Sequence, residues 1–138
     1  VSGGKGYLQA ALYQRGYRRI TSWDKRRKYA MNRRGYRYGY FHWEEKTPYD
    51  VLIAMHPDEG TDHSVLYAAK HQIPALVCPC CIKPSAEVYW GQHSFGSWYD
   101  HLEKLARQRG CVVSHATLSM NGRNRVLILN SGGVLERM

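Results

Sequence analysis

Acidic residues are scarce in this sequence. Eleven Asp and Glu stand against twenty Lys and Arg in 138 residues, a formal net charge of +9. Long apolar runs are missing as well. The longest, such as Val126-Leu127-Ile128-Leu129, have strand length, far below the ~18 residues that span a bilayer as a helix. No positively flanked apolar segment heads the chain, so neither a membrane span nor a secretory signal is expected. Cysteines number four, and three are crowded into Cys78-Pro79-Cys80-Cys81. A secreted disulfide framework spaces its cysteines along the chain, so the expected compartment is intracellular and reducing. Structural zinc wants two separated ligand pairs. Cys78-Pro79-Cys80-Cys81 and distant Cys111 offer no such match, and no metal is expected from the spacing. The 43% apolar and 22% charged content suits a folded domain and argues against disorder. The length fits one domain over 1–138. The first residue is Val1 rather than Met, so the start is expected to be processed, trimmed or left out; with the basic charge and reduced cysteines this suits a protein imported into the mitochondrial matrix.

The positive charge is concentrated. Arg15, Arg18, Arg19, Lys25, Arg26, Arg27, Lys28, Arg33, Arg34 and Arg37 share one stretch with a single acid, Asp24. Such a block favours a polyanionic neighbour. Tyr17, Tyr29, Tyr36, Tyr38 and Tyr40 interleave with the cations, which suits stacking on unpaired bases. RNA is therefore the expected partner, with Arg18, Arg19, Lys25, Arg26, Arg27, Lys28, Arg33 and Arg34 as its candidate contacts. A solvated basic face with strand tyrosines is the simpler alternative.

Hydrophobic periodicity and breakers predict an alternating chain. Helices are expected over Gly6–Gln14, Lys25–Arg34, Thr61–Gln72 and from a cap at Ser97 to Gly110. Strands are expected over Tyr17–Trp23, Tyr36–Trp43, Asp50–Met55, Pro74–Cys78, Cys111–Met120 and Arg125–Asn130. Val65, Leu66 and Ala69 should face inward from one helix, and Trp98, Leu102, Leu105 and Ala106 from another. Asn121-Gly122 marks a turn that makes the last pair antiparallel. Ile82–Phe95 reads as a long loop. Alternation of this kind predicts an α/β fold, a doubly wound, mostly parallel sheet closed by a C-terminal antiparallel hairpin. Its ligand should sit beyond the carboxyl ends of the strands.

One such position holds Ser2-Gly3-Gly4-Lys5-Gly6, just ahead of a helix. Glycines there let a ligand approach the backbone, and the helix start favours anionic or polar groups. Asp24 ends the next strand, where a carboxylate can accept hydrogen bonds from both hydroxyls of a ribose. A Gly-rich turn followed by a helix-capping Asp is the plain alternative.

These residues resemble the class I methyltransferases that use S-adenosylmethionine. Gly4-Lys5-Gly6 matches the second and third glycines of that family's loop, with Ser2 in the place of the first. Asp24 matches the ribose-binding acid. His42-Trp43-Glu44 falls at the adenine-flanking position, and Ala54-Met55-His56-Pro57-Asp58 at the motif ending the fourth strand. More narrowly, Met55 through Thr61, Pro79-Cys80-Cys81 and Gly122-Arg123-Asn124 resemble a eukaryotic methyltransferase-like group with Pro-Cys-Cys after strand five. The resemblance covers nearly the whole chain. It implies S-adenosylmethionine as cofactor, held by Ser2, Gly3, Gly4, Gly6, Asp24, Trp43 and Met55. It also implies a central first strand that would lie before Val1, so the domain is expected to be N-terminally incomplete, or completed by another chain.

The Asn-Pro-Pro-Tyr type motif of amino-group methylases is absent, and His56 and Asp58 occupy its place. His56 is a candidate general base, against the alternative of a polar loop residue. Cys80 is a candidate nucleophile by analogy with the Pro-Cys of RNA cytosine-C5 enzymes, although there the motif ends strand four. Packing at a tight turn is its alternative. Three functions compete: an RNA methyltransferase; a catalytically inactive relative serving as a structural subunit of a ribonucleoprotein such as an organellar ribosome; and a nicotinamide oxidoreductase. The last is disfavoured by Gln9, which stands where a dinucleotide fingerprint needs glycine.

Overall fold

The computed structural model describes residues 1–86 and 94–131, so part of the expected long loop lies outside the described residues. In chain order the elements are α1 (Tyr7–Gln14), β1 (Ser22–Asp24), α2 (Arg27–Ala30), β2 (Tyr36–Tyr38) and β3 (Leu52–Met55). A 3-10 turn (Asp58–Gly60) leads into α3 (Thr61–His71), followed by β4 (Ala75–Cys78), α4 (Phe95–Gln108), β5 (Cys111–Thr117) and β6 (Arg125–Ser131).

The strands form two groups. β1 and β2 pair in parallel, and a four-stranded sheet runs β3-β4-β6-β5. Within it β3 and β4 are parallel, while β6 is antiparallel to both β4 and β5. The fold is thus α/β with a mixed sheet. Parallel and antiparallel pairings balance, rather than parallel ones prevailing, because β6 inserts between β4 and β5. Residues 1–3 join the two groups. The Val1 nitrogen donates to the Ile53 carbonyl at 2.9 Å, and the Gly3 amide donates to the Trp23 carbonyl at 2.9 Å.

The core gathers Leu52, Ala54, Val65, Tyr67, Val77, Trp98, Leu102, Leu127 and Leu129, with Trp23 and Phe41 reaching it from the first strand group. The stripe Trp98, Leu102, Leu105 and Ala106 is buried as its spacing predicts. α3 is more enclosed than its pattern suggests: every residue from Thr61 to Ala69 is buried, polar ones included. Packing on more than one side removes the need for an amphipathic stripe.

The basic stretch departs most from expectation. Residues 17–21 form no strand and all but Ile20 are exposed, so no buried face rewards their alternation. The expected helix over Lys25–Arg34 contracts to Arg27–Ala30. It has no acid in its first turn and buries only Ala30, and so short a helix has little to offset its nucleation cost. The strand expected over Tyr36–Trp43 stops at Tyr38, since Gly39 turns the chain at φ 145° and sends Phe41 into the core. One cap also shifts. Ser94, not Ser97, caps α4, its hydroxyl accepting from the Ser97 amide at 3.1 Å. Thr61 lies inside the first turn of α3, where its hydroxyl donates to the Asp58 carbonyl at 2.7 Å. The terminal hairpin is antiparallel as expected. Its connection is braced by Asn124, whose amide nitrogen donates to the Leu118 and Met120 carbonyls.

Candidate functional site

The glycine loop and Asp24 meet. Asp24 ends β1 with only 2% of its surface exposed, and its Oδ2 accepts from the Gly4 amide at 2.8 Å. Gly3 must lack a side chain for this approach, because a Cβ there would come within 2.8 Å of the Ser22 Cβ. Gly6 precedes α1 at φ 90°, a backbone that side chains rarely adopt. The Tyr36 hydroxyl donates to the Gly3 and Gly4 carbonyls and fixes the loop from β2.

Asp24 is also gripped by its own neighbour. The Arg26 amide and Nε donate to Oδ1 at 2.8 and 2.9 Å, and its guanidinium reaches Oδ2 at 2.9 Å. Burial pushes the Asp24 carboxyl up, but these bonds and the Gly4 amide outweigh it and hold the group below the usual carboxylate range.

Beside this contact lies a crevice lined by Val1, Ser2, Trp23, Asp24, Lys25, Gly39, Tyr40, Phe41, Pro57, Glu59 and Gly60. Its interior volume is about 10 Å³, room for roughly one water. Lys25 closes it from the β1 side. Its ammonium pairs with Glu59 and lies 3.4 Å from Asp58 Oδ2. The Lys25–Glu59 hydrogen bond raises the lysine and lowers the acid, so the strap is charged on both sides near neutral pH.

Three residues around the crevice, Ser2 (φ 58°), His56 (φ 48°) and Asp58 (φ 60°), hold left-handed backbone without being glycine. Such strain persists where the surroundings over-determine it, often at functional sites. Here Ser2 Oγ donates to the Pro57 carbonyl at 3.0 Å, tying the glycine loop to the loop after β3. His56 Nε2 donates to the Arg123 carbonyl at 2.7 Å, which leaves Nδ1 as its basic atom. Asp58 is held down to about 2 by Lys83, whose ammonium sits 2.7 Å from Oδ1, with help from the Cys81 thiol and Lys25. Cys80 and Cys81 lie behind Asp58, their sulfurs 3.5 Å apart.

Of the residues expected to hold a cofactor, Ser2 and Asp24 line the crevice, and Gly3, Gly4 and Gly6 form the loop beside it. Trp43 and Met55 are not on its wall. The Trp43 amide instead donates to His63 Nδ1, and Met55 pairs with Cys78 across β3–β4. The early end of β2 puts Tyr40 and Phe41 where Trp43 was expected. Sequence reasoning missed Phe41 and Glu59 as wall residues; it expected Tyr40 only to stack on bases and named Pro57 only as part of the motif ending the fourth strand. Glu59 stands inside the singled-out Met55–Thr61 stretch, but its pairing with Lys25 is legible only in space.

The basic stretch splits into two kinds of cation. Lys25 and Arg26 are turned to internal carboxylates, and Arg33 donates to the Gly4 carbonyl. Arg18 is folded onto the Tyr13 and Tyr17 carbonyls. Arg19, Arg27, Lys28 and Arg34 are exposed and pair with no acid among the described residues. Tyr38 and Tyr40 are exposed beside them in sequence. Among the described residues no helix is long and apolar enough to cross a membrane. No protein-family model matches this chain, and no curated protein is significantly similar to it.

Proposed function

We propose that this chain is a methyltransferase-like domain that binds S-adenosylmethionine beside the glycine loop and engages RNA through its basic stretch. The observation that carries the reading is the 2.8 Å contact from the Gly4 amide to Asp24 Oδ2. Two features at different points of the chain converge where an adenosine would need backbone donors and a carboxylate. The connectivity supports it further. A central first strand of the resembled doubly wound sheet belongs between β1 and β3, where residues 1–3 already bond to both sides. The antiparallel hairpin closes the opposite end.

In this reading Asp24 accepts from the two ribose hydroxyls, exchanging its Arg26 contacts for them. Lys25 and Glu59 separate to admit the ligand, since ligand pockets commonly offer roughly 300–1,000 Å³. When bound, S-adenosylmethionine supplies an electrophilic methyl group. The protein's part is orientation and water exclusion, with His56 Nδ1 and the Asp58 carboxylate, both on the loop after β3, as the candidate polar groups for the acceptor. Arg19, Arg27, Lys28 and Arg34 supply phosphate contacts.

A second reading has its own observation. The crevice is narrowed by the protein's own Lys25–Glu59 pair, and its Asp24 is already paired with Arg26. That suits a non-catalytic relative kept as a ribonucleoprotein subunit. Calorimetric titration with S-adenosylhomocysteine separates the two. The first reading expects one site, lost on Asp24→Ala and tightened on Lys25→Ala, which removes the strap. A folded chain that binds nothing in either the native or the Lys25→Ala form leaves only the second.

A further inference from the structure

We propose that Asp58, Cys80 and Cys81 form a binding site for a thiophilic divalent cation, zinc foremost. The loop after β3 and the loop after β4 bring one carboxylate oxygen and two sulfurs together, all three within 4.8 Å of one another. The spacing of cysteines in the chain hides this, because the third ligand is an acid more than twenty positions earlier.

Two of the three separations lie close to those of tetrahedral zinc. Bonds of about 2.3 Å to sulfur and 2.0 Å to oxygen imply edges of roughly 3.8 Å between sulfurs and 3.5 Å between sulfur and oxygen. The observed separations are 3.5 Å for Cys80 Sγ to Cys81 Sγ and 3.2 Å for Cys81 Sγ to Asp58 Oδ1. These two edges need to widen by only a few tenths of an ångström, and the third pair, Cys80 Sγ with an Asp58 oxygen, lies within 4.8 Å. Two thiolates and a carboxylate are a donor set that selects a soft or borderline metal over magnesium or calcium. The side chains are half-buried, and Asp58 is 33% exposed, which leaves a way in.

The charge also balances. One zinc, two thiolates and one carboxylate sum to −1, and Lys83 and Lys25 stand at Asp58 to offset it. Binding forms two zinc–sulfur bonds and one zinc–oxygen bond. It releases two thiol protons to solvent, and Lys83 gives up its place on Oδ1. Both thiols must be deprotonated to ligate, so affinity should rise with pH. The other two cysteines are engaged elsewhere. The Cys78 thiol donates to the Arg123 carbonyl, and Cys111 is part of the core. Three protein ligands leave a fourth position for water or a substrate atom.

Cobalt titration of the reduced chain tests this by its spectrum. One equivalent should give a near-ultraviolet thiolate-to-cobalt band with intense visible bands of four-coordinate metal, and zinc should bleach both. Cys80→Ala and Asp58→Asn should each weaken zinc at least tenfold, with Cys111→Ala unchanged. Asp58→Asn keeps the side-chain shape, and circular dichroism verifies that each variant is folded. Absence of the thiolate band at equimolar cobalt would overturn the proposal. So would zinc affinity indifferent to both Cys80→Ala and Asp58→Asn in folded protein.

Discussion

The two strand groups are built on different principles. The four-stranded sheet with α3 and α4 is held by apolar burial: Val65, Tyr67, Val77, Trp98, Leu102, Leu127 and Leu129 lose essentially all contact with solvent. The β1–β2 group is held by polar geometry. α1 buries no residue, and the glycine loop is fixed by Asp24, Tyr36 and Arg33. The apolar half supplies the core, and the polar half exposes cations around a buried carboxylate, Asp24. The candidate site therefore sits in the half with the least core, on the loops that join it to the half with the most.

That contrast can be broken by substitution. Leu127→Ala in β6 should cost about 2–5 kcal/mol by transfer and cavity formation, read from denaturant unfolding. Asp24→Ala should cost about 1–3 kcal/mol, because it leaves the Gly4 amide without its acceptor. Unlike Leu127→Ala, it should also remove S-adenosylhomocysteine binding. Acid should act on the seam between the halves. The Asp58 carboxyl is depressed to about 2 from an ordinary 3.8. Its contribution is therefore complete above the ordinary value and lost as pH falls towards 2. Thermal melts between pH 5 and pH 2 should show that decline, and Asp58→Asn should flatten it. Replacing Arg27, Lys28 and Arg34 together by alanine should leave stability within about 0.5 kcal/mol. On single-stranded RNA it should lower the slope of log affinity against log salt by about 2 in magnitude. The smallest effect belongs to Tyr7→Ala in α1, where the ring is 78% exposed. Its stability change should stay within about 0.5 kcal/mol.

The same division decides what was legible in the sequence. Where burial dominates, periodicity worked. Leu52–Met55, Ala75–Cys78, the α4 stripe and the terminal hairpin all fall where apolar spacing predicts. Where polar contacts dominate, it failed. Arg and Tyr alternate between 15 and 40 without a buried face, so helix and strand there are shorter than the pattern suggests. The pairing of the glycine loop with Asp24 was legible because both carry strong local chemistry. The Lys25–Glu59 strap and the Asp58–Cys80–Cys81 group were not, since each joins segments that are neighbours only in the fold.

The central claim is that the glycine loop and Asp24 bound an adenosine site. Amide-resolved NMR during addition of S-adenosylhomocysteine tests it most directly. The account predicts saturable shifts at Gly3, Gly4, Gly6 and Asp24–Arg26, with β5 and β6 unmoved. Saturation with no change at the glycine loop, or shifts confined to the four-stranded sheet, would contradict it.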